Sequence, residues 1–212
     1  PGALFYRSPA SLSVPKLDQL TGPSTIPGEG IIQPEFSPAA AGNRKRWAQA
    51  MAWADCRYLF EGGWGVALGQ EQSTAQWLRA YRSIPPVPFD PVESPQASMN
   101  PVQIVVRQAS FDNDTWWYFV NPSPWETRVQ LVVTADGSLN LQSSNSAKRE
   151  ISGSQESTKT CTLTLDPFGL HVLRAGGVSA TVDKLDVSVP ESARMKIEQD
   201  LNEFFAQVTQ LE

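Results

Sequence analysis

The sequence predicts an α+β protein: an antiparallel β-sandwich, preceded by a small α/β segment and followed by one C-terminal helix. Three observations predict it. Between residues 102 and 189, about seven short runs rich in β-branched and aromatic residues are separated by turn signals, the pattern of a sandwich. Upstream, residues 43–82 pass from helical to strand periodicity and back around a glycine turn, as α/β layouts do. Downstream, Ile197, Leu201, Phe204, Phe205, Val208 and Leu211 recur at helical spacing and form one apolar stripe.

The elements can be justified in chain order. Leu4-Phe5-Tyr6-Arg7 reads as a short strand, and Ser8 to Gly42 is a long Pro/Gly-rich stretch. Irregular segments of that length are uncommon in compact domains unless they are functional or fragmentary. Asn43 can cap a helix whose apolar residues Trp47, Met51, Ala54 and Tyr58 follow the helical period. The strand Arg57-Tyr58-Leu59-Phe60 competes with that helix for Tyr58, and the turn Glu61-Gly62-Gly63-Trp64-Gly65 ends it. Ser73-Thr74-Ala75-Gln76 reads as a capping box, opening a helix with Thr74, Trp77, Leu78 and Tyr81 on one face. Prolines then crowd residues 85–97, which reads as an extended linker. The chain thus divides into 1–84, the linker, a sandwich at 98–189 and a helix at 190–212.

Within the sandwich the strands expected are 102–108, 115–121, 127–134, 138–142, 158–165, 168–174 and 178–189. Trp116 to Val120 and Thr127 to Val133 flank Asn121-Pro122-Ser123-Pro124, where prolines remove donors and fix φ. Two such runs around a short turn read as a hairpin. The alternation Val178, Ala180, Val182 changes phase to Leu185, Val187, Val189, which predicts a bulge near Asp183-Lys184. Polar residues 143–158 read as a hairpin loop or ragged edge. The core should draw on Trp117 or Trp116, Phe119, Leu131, Val133, Cys161, Leu163, Leu165, Leu170 and Val172. Trp116 and Trp117 must point to opposite faces, so the one outside the core is exposed or covered by the neighbouring segment.

Composition excludes several function classes. A net charge of −5, with Arg44-Lys45-Arg46 as the one basic run, argues against a nucleic-acid partner. No apolar stretch approaches the roughly 20 residues a bilayer span requires, so no membrane partner is expected. A chain that begins at Pro1 rather than Met reads as a piece or processed form of a longer protein. With one histidine and two cysteines at no ligand spacing, neither a metal nor another cofactor is implied. Cys161 alternates with threonines and reads as a small buried hydrophobe; a Cys56–Cys161 disulfide is the less expected state. His171, central in a strand, reads as structural before catalytic.

One resemblance adds to this reading. The segment Leu59-Phe60-Glu61-Gly62-Gly63-Trp64-Gly65-Val66-Ala67-Leu68-Gly69-Gln70-Glu71 resembles part of large planctomycete proteins classed as glycoside hydrolases of a family-10-like barrel type. The stretch from Trp117 to Trp125 and Leu165-Asp166-Pro167-Phe168-Gly169-Leu170 resemble them too. The likeness spans most of residues 3–175, on short motifs. It implies that residues 1–84 are the last units of a β/α barrel with the sandwich behind it. It also points to a carbohydrate partner and to a missing upstream barrel or another chain; the compartment stays open, with an extracellular or periplasmic setting favoured. Function would then be that of a non-catalytic accessory portion of a larger carbohydrate-active protein. An autonomous carbohydrate-binding module and an adhesion or assembly domain are the alternatives. An exposed row of aromatics on one sheet face would favour binding, whereas aromatics buried against residues 1–84 would favour support.

The candidate site residues follow from chemistry as well as likeness. Glycoside hydrolysis needs two carboxylates about 5–10 Å apart, usually at the C-terminal ends of barrel strands. Glu61, ending a predicted strand, and Glu71, beyond the glycine turn, are the best-placed pair, although two solvated loop acids is the commoner arrangement. The resembled proteins carry Asp where this chain has Glu61, which counts against a catalytic role, since a displacement of about 1 Å can cost roughly a hundredfold in rate. Trp64 in its glycine turn could stack on a pyranose or simply pack beneath the loop. Arg7 could pair with an acidic substrate group or with a structural carboxylate. An exposed Trp116 would anchor a carbohydrate or a partner surface.

Overall fold

The computed structural model describes residues 3–6, 31–32, 42–61, 71–92, 104–144, 149–153 and 156–209. Five strands form the larger sheet: β4 (Asp90–Pro91), β5 (Val105–Phe111), β6 (Asp114–Val120), β11 (Leu170–Ala175) and β8 (Leu141–Ser143), in that order. A second sheet has the order β12 (Ala180–Ser188), β7 (Thr127–Ala135), β10 (Thr158–Leu165), β9 (Arg149–Ser152). Every pairing in both sheets is antiparallel. A third, small sheet joins β1 (Ala3–Tyr6), β3 (Tyr58–Glu61) and β2 (Ile31–Ile32). Helices α1 (Gly42–Trp53) and α2 (Glu71–Ser83) precede the sandwich, and α3 (Glu191–Thr209) follows it. The class is the α+β sandwich that the strand and helix patterns predict.

The two large sheets face each other across a core that includes Trp117, Phe119, Leu131, Val133, Cys161, Leu163, Leu165 and Leu173. β7 shows why. Val129, Leu131, Val133 and Ala135 are buried, while Arg128 and Gln130 between them are exposed, so one face is apolar and the other wet. In β10 the buried Cys161, Leu163 and Leu165 alternate with threonines in the same way. The bulge falls where the phase change predicts it, between Val182 and Lys184. β5 and β6 are joined by Asp112 and Asn113, both with positive φ (52° and 63°), the backbone of a type I′ two-residue hairpin.

The larger sheet is covered on its other face too. Trp47, Met51, Trp77, Tyr81, Ile84 and Phe89 pack with Tyr118, Val120, Phe168 and Val172 in a second core. The rings of Trp47 and Trp77 lie 5.1 Å apart, and those of Phe89 and Tyr118 lie 5.0 Å apart. Tyr118 donates to Asp55 Oδ1 at 2.8 Å, and the Phe89 N–H donates to Asp55 Oδ2 at 2.8 Å, so one carboxylate ties the end of α1 to the sheet and to the proline-rich stretch. β6 is therefore buried on both faces, which is what its unbroken aromatic run requires.

The structure differs from the sequence-based expectations at several points. β6 and β7 are not a hairpin, because they belong to opposite sheets. The intervening residues form an arch: Asn121 Nδ2 donates to Trp125 O (2.7 Å) and Asp166 O (2.9 Å), while the Ser123 N–H donates to Asn121 Oδ1 (3.0 Å). In β11, Leu170 and Val172 face the helices, and Leu173 and Ala175 enter the sandwich core. That strand is covered on both sides, so its apolar pattern carries no phase. Tyr58 lies in β3 rather than at the end of the first helix. Part of the polar segment 143–158 pairs as β9 at the edge of its sheet. β1 runs antiparallel to β3, so only the β2–β3 pair has the parallel sense of a barrel wall. Cys56 and Cys161, by contrast, are as expected: both thiols are buried and no disulfide joins them.

Helix cover is also uneven. Trp47 and Met51, one helical turn apart, face the sheet, whereas Trp53 lies off that face and is 88% exposed. Along α3, Met195, Leu201, Phe204 and Phe205 are each at least half exposed, so that stripe is not docked as its composition demands. Among the described side chains of this helix, only Ala193 and Ile197 are half-buried, beside Pro124, Trp125 and Pro167.

Candidate functional site

Of the residues singled out from sequence, Arg7 and Trp64 lie outside the described residues. Glu61 ends β3, where its backbone pairs with Ala3, and Glu71 opens α2; the side chains of both lie outside the described residues. Trp116 is half-buried on the helix-facing side of β6. The Arg174 guanidinium sits over its ring, 5.1 Å from the centroid, and pairs with Asp114 at 2.5 Å. The ring face a sugar would stack on is thus already covered by a cation held in place by a buried carboxylate. Cross-strand register explains the arrangement, because Arg174 stands directly opposite Trp116.

A cleft of about 250 Å³ lies where α1 and α2 meet the turn between β10 and β11. Gln76, Arg79 and Ala80 line it from α2, at spacings that put all three on one helix face. Arg44, from the first turn of α1, lines it from another side. The turn is held tightly. Phe168 has a positive φ of 54°, and the Gly169 N–H donates to Asp166 O at 2.9 Å. A Cβ on Gly169 would stand 2.8 Å from that same oxygen, so glycine is needed there for space. Trp77 Nε1 donates to Phe168 O at 3.1 Å and fixes α2 against the turn. His171, almost wholly buried, also lines the cleft, with Nε2 2.7 Å from Ser143 Oγ. That bond makes it a strand-to-strand tie, as the structural reading of this histidine predicts.

Among the described residues, the charges lining this cleft are two guanidinium groups against the carboxylate of Asp166. Nε of Arg44 is buried and has no hydrogen-bond partner among the described residues. Sequence reading missed the cleft: Arg44 was read only as part of the basic run, and Gln76 and Arg79, both exposed, were assigned no role. The signal that could have found it is the pairing of Gln76 and Arg79 one turn apart, beside the apolar face of α2. A second groove, about 560 Å³, runs between the first turns of α3 and the corner at Pro124, Trp125 and Pro167. Among the described residues no cluster of His, Cys, Asp and Glu could hold a metal ion, and no helix is long and apolar enough to cross a membrane.

No protein-family model and no curated protein matches the chain. Two solved structures from Leishmania major are similar in part. One is a hypothetical protein, 18% identical, covering 42% of this chain and 77% of that one with a TM-score of 0.30. The other is the NMR structure of SMP-1 (Small Myristoylated Protein), 13% identical, covering 51% of this chain and 79% of that one with a TM-score of 0.32. Likeness at that level carries no argument about what this chain does.

Proposed function

We propose that the chain is a non-catalytic supporting portion of a larger carbohydrate-active protein, with the sandwich serving as the platform on which α1 and α2 rest. The observation that carries this reading is the fate of the aromatics on the outer face of β6. Tyr118 and Val120 are sealed beneath Trp47, Trp77 and Tyr81, and Trp116 is half-covered in the same cluster. A glycan-binding face would leave such rings in water, where they could stack on a sugar. Here they are used to bury helices, and apolar area removed from water stabilises at about 25 cal/mol per Å². The resemblance described above supplies the carbohydrate-active setting. One further observation favours an assembly role beside the supporting one: the exposed Leu201, Phe204 and Phe205 of α3 form an apolar surface of the kind that marks contact with other protein.

The supporting reading is tested by assaying the 212-residue chain on common glycans. It should show no turnover, since a working site needs an acid/base pair fixed at reacting distance. Hydrolysis that disappears in Glu61→Gln would overturn the supporting role and restore an enzymatic one.

A further inference from the structure

We propose that the cleft between α1, α2 and the Asp166–His171 turn binds a small ligand through an oxyanion group: a carboxylate, sulfate or phosphate. This is independent of the supporting role, which the buried aromatic face carries.

Three observations lead there. The first is convergence of charge. Arg44 and Arg79 come from different helices to one cleft of about 250 Å³, and among the described residues Asp166 is the one carboxylate lining it, which leaves an excess of one positive charge among them. Gln76, one turn before Arg79, adds a neutral donor on the same helix face.

The second is the shape of the donors. Arg44 lines the cleft with its Nε buried, so a ligand would meet the outer edge of its guanidinium. A guanidinium presents a planar fork of N–H groups that matches two oxygens of one carboxylate, sulfate or phosphate. A neutral hydroxyl offers no such match.

The third is size and lining. The cleft is smaller than the roughly 300–1,000 Å³ typical of drug-sized ligand sites, so it suits a single small group rather than a chain of sugars. Leu165, Leu170 and Ala80 contribute apolar wall, and the hydroxyl-bearing Ser144 and Thr164 complete the polar side. The walls are also braced: Trp77 is bonded to the turn through Phe168 O, and Asn121 Nδ2 holds Asp166 O. A braced cleft loses little ordering entropy on binding.

The experiment is calorimetric titration of the full chain with inorganic phosphate, sulfate and galacturonate, with galactose as the neutral control. At least one of the three anions should bind saturably at millimolar concentration, and galactose should not. Arg44→Gln and Arg79→Gln should each weaken that binding by about tenfold or more, the order expected when a charge-assisted hydrogen bond is lost. Arg44→Lys, which keeps the charge but not the fork, should fall between wild type and Arg44→Gln. Thermal melts of the variants should match the wild type, which separates loss of binding from loss of fold. Tighter binding of galacturonate than of phosphate would assign the site to a sugar acid, and the reverse order to a phosphate; either supports the proposal if the arginine variants lose it. Absence of saturable binding by all three anions, or binding that both glutamine variants leave unchanged, would overturn it.

Discussion

Leu163 and Cys161 sit one alternation apart on the same buried face of β10, and both have no exposed surface. Truncating Leu163 to Ala removes methyl groups from the middle of the sandwich core and leaves a cavity, so urea unfolding should report a loss of about 2–5 kcal/mol. Cys161 makes a different demand. Burial pushes its thiol up from 9.0 to about 11, with the charge of Arg149 opposing part of the rise. Below pH 9 the thiol is protonated whether the chain is folded or not, so it adds no pH dependence there. Between about pH 9 and 11 the unfolded chain releases the proton and the folded one keeps it, so stability should fall as pH rises, by up to roughly 3 kcal/mol. Cys161→Ala, melted across that window, should lose this part of the alkaline slope. A slope unchanged by the substitution would remove Cys161 as its cause. Asn121 is the third residue with a sharp expectation. Its side chain holds the Trp125 and Asp166 carbonyls at the arch, and Asn121→Ala should cost about 1–3 kcal/mol, seen as a lower urea midpoint.

At the level of elements, legibility followed burial. β7 and β10 alternate cleanly because one face is core and the other wet, and the register change in β12 announces its bulge in the sequence. β6 and β11 do not alternate usefully, since helices cover their second face; hence Leu170 and Val172 were placed in the wrong core. The Asn121–Glu126 segment was legible as a break but not as an arch, because prolines stop a strand without saying which sheet the next one joins. The arginine-lined cleft was invisible for another reason: Arg44, the Gln76–Arg79 pair and Asp166 come from segments far apart in the chain, and only packing brings them together. Glu61, Glu71, Trp64 and Arg7 came from local chemistry and likeness, and their side chains lie outside the described residues. α3 follows the stripe seen in the sequence but leaves Leu201, Phe204 and Phe205 in water. Deleting residues 191–212 should therefore shift the melting temperature by less than about 4 °C, on the order of 1 kcal/mol for a chain of this size. A larger drop would mean that the groove beside Trp125 contributes more than its half-buried Ala193 and Ile197 suggest.

For the whole molecule, the consequential feature is that one sheet serves two cores. Trp117, Phe119 and Leu173 point into the sandwich, while Tyr118, Val120 and Val172 point to Trp47, Trp77 and Tyr81. Strands shared in this way couple the two layers, because neither face of β6 can open without exposing aromatic surface. The proposed supporting function rests on that coupling: the helices gain a wall, and the sandwich gains cover for an apolar face. Hydrogen exchange on the full chain carrying Trp77→Ala tests it most directly. The substitution removes a large side chain from the helix-facing core and should cost about 3–5 kcal/mol. Coupled layers predict that amide protection falls in α1 and α2 and equally in β6 and β11. Loss of protection confined to the helices, with β6 and β11 exchanging as in the wild type, would show that the sandwich stands alone and would contradict the platform role.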